Sequence, residues 1–209
     1  MSKNNSENDR IVWIDCEMTG LELGVDELIE VAAIVTDFEL RPLDDGIDVI
    51  IRPSDAARAH MNDFVTNMHT TSGLIEELDG GLTIEQAQEQ VLAYIKQHAP
   101  VAGKAPLGGN SVGTDKGFLQ VQMPELVEHL HYRIIDVSSI KELAKRWYPR
   151  AYNHAPAKTG GHRALGDIRD SIDELAYYRK AVFVSEGPTS AQAQSIAAEL
   201  AAKTQGMSL

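Results

Sequence analysis

A single cysteine, Cys16, stands among 209 residues, so the chain cannot close a disulfide on itself and suits a reducing cytosol. There is no Cys/His cluster of the kind that holds zinc. No apolar run approaches the roughly 20 residues that a membrane-spanning helix needs. The polar, Asn-rich start, Met1 to Arg10, lacks the apolar core of a secretory signal, and a cytoplasmic protein is expected. Positive charge is scarce as well: 19 Lys and Arg face 31 Asp and Glu, a net charge of −12. Tight grip on long nucleic acid rests on many Lys and Arg contacts to phosphate, and that composition argues against it. A site that carries its own cation is a different matter, because a bound metal supplies local positive charge. The apolar fraction of 43% is enough to build a core for one domain, or one domain with an appendage.

What is present reads as an α/β chain. Strands are expected at residues 11–17, 28–36 and 47–51, the last preceded by an Asp45-Gly46 turn and stopped by Arg52-Pro53. Their short connections imply an antiparallel meander. Residues 54–80 read as helical in pieces, broken at Ser72-Gly73. Thr83 to His98 is an amphipathic helix with Ile84, Ala87, Val91 and Tyr94 on one face and a Thr83/Gln86 capping box. A short buried strand covers Ala105 to Asn110, and a helix follows from near Asp115, kinked or interrupted at Pro124. Tyr132 to Val137 is a fifth strand. Ser139 and Glu142 cap a helix that runs to Trp147 and stops at Pro149. Residues 150–161 read as a loop, and a long helix runs from about Ala164 to Phe183. Meander first, then alternating strands and helices, predicts a mixed sheet flanked by helices. Residues 1–9 are expected to be a disordered polar segment. Residues 184–209 read as a tail with a short Ser-capped helix over Ser190 to Lys203 and no chemistry of its own.

Three acidic segments stand out. The first strand ends Asp15-Cys16-Glu17-Met18-Thr19-Gly20. Alternation puts Asp15 and Glu17 on one face and Cys16, a small buried residue, on the other. Two adjacent anions resist burial unless a cation lies between them. The second segment is Gly109-Asn110-Ser111-Val112-Gly113-Thr114-Asp115, in which Asp115 reads as a ligand or as a helix cap. The third is His162-Arg163-Ala164-Leu165-Gly166-Asp167-Ile168-Arg169-Asp170, with two glycines before His162. Asp167 and Asp170 lie three apart on one helix face, and spacing alone does not choose between them.

Taken together, Asp-x-Glu, the later Asp and His-x4-Asp resemble the DEDD exonuclease superfamily in its His-containing subgroup. The likeness is closer still to the oligoribonuclease family. It rests on Asp15 to Leu21, Gly109-Asn110-Ser111, His131-Tyr132-Arg133, Asp136-Val137-Ser138, Lys141-Glu142-Leu143 and His162-Arg163-Ala164-Leu165, and covers about residues 10–182. The resemblance implies an RNase H-like fold, an exonuclease domain over 10–183, and 3′-to-5′ hydrolysis of very short RNA down to dinucleotides. It implies Asp15, Glu17, Asp115 and Asp167 as ligands of two Mg²⁺ or Mn²⁺ ions, with Asp15 bridging. Four negative charges and an all-oxygen donor set agree with that. His162, titrating near neutrality, would be the general base.

By the same resemblance, Leu21 wedges against the bases and Phe64 stacks on one. Core packing is the other reading of Phe64, which stands where the family often has tryptophan. His69, Ser111, Arg133 and Ser138 would form a pocket for the 5′-phosphate, which caps the substrate at two nucleotides and replaces a basic track with a few fixed donors. Tyr132 would reach into a partner's site in a homodimer. Two departures from the family pattern are Gly166, where Asp or Ala is frequent, and Lys116-Gly117, where a more basic pair is common. The competing readings are a proofreading-type DNA exonuclease of the same superfamily and a non-catalytic nucleic-acid-binding module; complete ligands speak against the latter.

Overall fold

The structure, a computed structural model, describes residues 9–159 and 161–206. The expected disordered segment, save Asp9, lies outside the described residues. Five strands form one sheet: β1 (Arg10–Met18), β2 (Leu28–Asp37), β3 (Ile47–Ile50), β4 (Pro106–Gly109) and β5 (His131–Asp136), in the order β3-β2-β1-β4-β5. β1, β2 and β3 pair antiparallel, while β4 and β5 continue the sheet in parallel with β1. This is the mixed sheet expected for an RNase H-like domain. The helices are α1 (Asp55–His60), α2 (Asp63–Thr71), α3 (Leu74–Glu77), α4 (Ile84–His98), α5 (Gly113–Gln122), α6 (Pro124–His129), α7 (Val137–Trp147), α8 (Pro149–Asn153), α9 (Ala164–Ala181) and α10 (Ser190–Gly206).

The alternation of β1 divides the core into two layers. Val12, Ile14 and Cys16 pack with Val91 and Ile95 of α4 and Phe118 of α5 on one face. Ile11 and Trp13 pack with Ala144 of α7 and Ile168 and Ile172 of α9 on the other. Asp15 and Glu17 continue the second series, so the sheet aims them toward the start of α9. Cys16 faces away from them into the apolar layer, as its place in the strand requires.

Several boundaries differ from the sequence expectation, each for a local reason. α7 begins at Val137 because Asp136, not Ser139, is its cap: Asp136 Oδ1 accepts the Ser138 N–H at 3.1 Å and Oδ2 accepts the Ser139 hydroxyl at 2.8 Å. β5 therefore ends one residue early. α5 starts at Gly113, which places Asp115 in its first turn. Pro124 opens a separate helix, where its missing N–H costs nothing. The expected loop at 150–161 begins with the single-turn α8, again opened by a proline. α10 forms and extends past Lys203. No helix among the described residues is long and apolar enough to cross a membrane.

Candidate active site

The site lies where β1 and β4 end and α9 begins. Asp15, Glu17 and Asp167 each present an atom within 4.8 Å of the others. Alternation supplies the first two, and the first turn of α9 supplies the third. Of the two candidates on α9, Asp167 is the one brought to Asp15 and Glu17; Asp170 accepts from the Thr159 N–H at 2.5 Å and its hydroxyl at 3.0 Å, which holds the loop before α9. Asp115 stands beside the three. Its Oδ1 accepts the Cys16 N–H, between the paired carboxylates, at 3.0 Å, and it is buried. Asp115 is thus a carboxylate facing the site from the start of α5, not a cap of its own helix.

Crowding of like charge is severe here. Burial, then the charges of Asp115, Glu17 and Asp167, push the Asp15 carboxyl up to about 9. Burial, then Glu30, Asp167 and Asp115, push Glu17 up to about 8. Burial raises Asp115 to about 6 and also raises Asp167. At these values Asp15 and Glu17 hold protons at neutral pH unless a cation takes their place. Their oxygen donors and mutual repulsion fit a hard divalent cation.

Positive charge reaches the site from the segment before α9. Lys158 opposes the shifts of both Asp15 and Asp167, and His162 opposes that of Asp167. His162 is exposed and holds the left-handed backbone conformation, φ 59°, an unusual one for a side chain with a Cβ. Its neighbour is fixed firmly. The Arg163 Nε–H donates to Glu30 Oε1 at 2.8 Å, its Nη1 donates to Glu77 at 2.8 Å, and the Ala164 N–H donates to Glu30 Oε2 at 3.1 Å. Glu30, fully buried on β2 opposite Glu17, satisfies the first orphan N–H of α9 that Arg163 as cap leaves open. Hydrophobic periodicity gives Glu30 no role. The signal for it is that it is the one charge in the run Leu28 to Thr36.

The residues expected to read a 5′-phosphate divide in two. Ser111 and Ser138 meet, Oγ to Oγ, at 3.1 Å, and the Ser111 N–H donates to Asp136 at 2.9 Å. Arg133 is exposed on β5 and lies over the Tyr132 ring, 5.3 Å from its centre. His69 is held at the end of β1. It is fully buried, its Nε2 is 3.0 Å from the Met18 carbonyl, and its Nδ1 lies 4.0 Å from Glu17 with no hydrogen-bond partner. Burial lowers its pKa, so the ring is neutral, donates from Nε2, and turns a free nitrogen toward the carboxylates. A polar chain that spacing does not suggest joins both halves of the site. The Asp167 carbonyl accepts the Ser171 hydroxyl at 2.9 Å, and Asn110 Nδ2 donates to Ser171 at 2.9 Å and to Glu174 at 3.0 Å. Asn110 Oδ1 in turn accepts the Ser138 hydroxyl at 3.0 Å. Lys141 neutralises the buried Glu174 at 2.9 Å.

Leu21 and Phe64 are 75% and 76% exposed, which rules out core packing for Phe64. Tyr132, 72% exposed, stacks on His131 with ring centres 4.5 Å apart.

Comparison with known proteins agrees with this geometry. A family model described as exonuclease matches residues 12–175. The oligoribonuclease of Streptomyces griseus is 64% identical over 196 residues, which are 93% of this chain and 98% of the relative. That of Leifsonia xyli is 57% identical over 199 residues, 95% and 96% of the two chains. Among solved structures, E. coli exonuclease I in complex with a dA16 oligonucleotide superposes with a TM-score of 0.65 at 13% identity, over 83% of this chain and 41% of that one. Exonuclease I from Methylocaldum szegediense gives 0.62 at 15%, over 83% and 41%. The chain spans about two fifths of those longer enzymes, and the likeness is one of fold. A sheet that ends in converging carboxylates, a matching exonuclease model and close relatives over nearly the whole length lead to one conclusion: the chain belongs to the oligoribonuclease family of exonucleases.

Proposed function

We propose that the chain removes nucleotides from the 3′ end of very short RNA, dinucleotides above all, by metal-assisted hydrolysis. Exoribonuclease action on short oligoribonucleotides is the activity of the family. The observation that carries the catalytic assignment is the convergence of Asp15, Glu17 and Asp167 within 4.8 Å, with Asp115 bonded to the backbone between the first two. These four would hold two divalent ions, Mg²⁺ or Mn²⁺ given the oxygen donors, with Asp15 between them. Bound there, the ions would supply Lewis-acid stabilisation and a more acidic attacking water.

The chain's own residues do the rest. His162 takes the proton of the attacking water as the water oxygen bonds to phosphorus and the 3′-oxygen of the preceding nucleotide leaves, releasing a 5′-mononucleotide. Its place on an exposed turn next to Asp167 suits a base that must reach over the ligands. Ser111, Ser138 and Arg133 take the 5′-phosphate of the substrate, with Asp136 holding the backbone N–H groups of the two serines and Asn110 accepting the Ser138 hydroxyl. His69, held on the Met18 carbonyl, joins Ser111, Ser138 and Arg133 in that pocket, as the family resemblance implies. Leu21 and Phe64 take the bases.

A homodimer is part of this reading. β5 is a sheet edge, and it leaves Tyr132 and Ile134, which share one face of the strand, exposed to a second copy. Tyr132 of one copy would then complete the other's site. Residues 10–183 form the catalytic unit, residues 184–209 are appended to it, and the cytoplasm is its place of action.

The decisive experiment is hydrolysis of a 5′-phosphorylated diribonucleotide beside a long single-stranded RNA, in Mg²⁺ and in EDTA. Metal-dependent cleavage of the dinucleotide alone is the expected result. Equal cleavage of both would remove the phosphate cap from the assignment. Preference for single-stranded DNA would favour a DNA exonuclease, and no cleavage of anything would leave a binding module.

A further inference from the structure

The loop that carries Leu21 and the helix that carries Phe64 are joined through α1, and both ends of α1 are fastened to that loop. At its start, Glu27 accepts the Ser54 N–H and the Ser54 hydroxyl, each at 2.7 Å. At its end, His60 Nδ1 lies 3.1 Å from Asp26 Oδ1. Two consecutive carboxylates of the loop therefore grip the two ends of one helix.

Asp26 is well suited to transmit position. It is 3% exposed, and its carboxylate also accepts the Thr19 hydroxyl at 3.0 Å and the Glu22 N–H at 2.8 Å. Burial opposes its ionisation, but the hydrogen bonds from Glu22, His60 and Thr19 hold the carboxyl below its ordinary value, so Nδ1 of His60 is the donor. Gly20 packs so closely that a Cβ there would stand 2.4 Å from Asp26 Oδ2. Thr19, Gly20 and Glu22, the residues around Leu21, are thus all set by one carboxylate. The Asp26 carbonyl is held in turn by Gln122 Nε2 at 3.0 Å. On the other side, Met61 alone separates His60 from Asn62, which caps α2 through the Val65 N–H at 2.9 Å, and Phe64 lies in that first turn.

We propose that α1 is a strut, clamped by Glu27–Ser54 and Asp26–His60, that sets the position of Leu21 relative to Phe64, and that His60 is a positioning residue for base binding. This rests on the reading of Leu21 and Phe64 as base contacts. His60 touches no reacting group. Its effect falls on substrate binding, not on the chemical step.

The test is steady-state hydrolysis of a 5′-phosphorylated diribonucleotide by the full-length protein with saturating Mg²⁺. His60→Ala is expected to raise KM about three- to tenfold, the size of one hydrogen bond at a half-exposed side chain, with kcat unchanged. His60→Asn, whose amide N–H can occupy the position of Nδ1–H, is expected to restore KM. In a Leu21→Ala/Phe64→Ala background, His60→Ala should add nothing. If Leu21→Ala and Phe64→Ala raise KM but His60→Ala does not, the strut is refuted and the base contacts stand. If Leu21→Ala and Phe64→Ala both leave KM alone, the base contacts fall and the strut with them. A fall in kcat at constant KM, or an undiminished effect of His60→Ala in the double background, also overturns it. Half of the His60 side chain is solvent-exposed, so the substitution leaves the core intact and folding does not confuse the result.

Discussion

Replacing Asp15 by asparagine should stabilise the metal-free protein while ending its activity. In the fold the Asp15 carboxyl is pushed from 3.8 up to about 9 by burial and by Asp115, Glu17 and Asp167. Between those values the unfolded chain has released its proton and the folded chain keeps it. The folded state then binds more protons than the unfolded state, so stability falls as pH rises, by about 1.4 kcal/mol per pH unit. By pH 7 the loss from this one group amounts to about 4 kcal/mol. Asparagine has nearly the same shape and does not titrate, so it avoids that loss. For a chain of this size the gain corresponds to roughly 10 °C in Tm. The assay is thermal unfolding by circular dichroism in EDTA. Wild type and Asp15→Asn should melt together near pH 4 and separate at pH 7, with the variant higher. Adding Mg²⁺ should then raise the wild type and leave the variant nearly unmoved, because only the wild type keeps the ligand set. Coincident melting at pH 7 in EDTA would refute the reasoning, since it would mean that Asp15 ionises freely in the fold.

Other expectations follow from the same geometry. His162→Ala should lower the single-turnover rate by roughly 10²–10⁴-fold with little change in Tm, and a loss of less than tenfold would remove it as general base. Arg163→Met should cost about 3 kcal/mol in urea unfolding, because it strands the fully buried Glu30, and should lower kcat by loosening the turn that carries His162. An unchanged urea midpoint would show that the Ala164 N–H alone suffices to hold Glu30. Removing the 5′-phosphate from a diribonucleotide should weaken binding in wild type, and the difference should vanish in Arg133→Ala. A wild type indifferent to the phosphate would count against Ser111, Ser138 and Arg133 as its pocket.

Much of this protein is legible in its sequence because its local rules are strong. Period-two alternation over Ile11 to Glu17 places two carboxylates on one face, whatever lies opposite them. Apolar runs and capping signals give the five strands and the principal helices, and the capping box at Thr83 marks the start of α4 where the structure has it. The resemblance to the His-containing exonucleases, more than spacing, brings Asp115, His162 and Asp167 forward as candidates. Boundaries fail where a side chain does two jobs. Asp136 ends a strand, caps α7 and orients Ser111 at once, which no local pattern weights correctly.

Only tertiary structure decides which acid meets which. Asp167 and Asp170 share a helix face, yet one joins Asp15 and Glu17 and the other ties down Thr159, because the register of α9 against β1 fixes the choice. Glu30 becomes the anchor of Arg163 and α9 only when β2 pairs with β1 and sets Glu30 opposite Glu17. His69 comes to lie buried beside Glu17 for the same kind of reason. Local sequence specifies which face a side chain takes. Its partner comes from elements distant in the chain, and those are brought together only by burying the two apolar layers of the sheet.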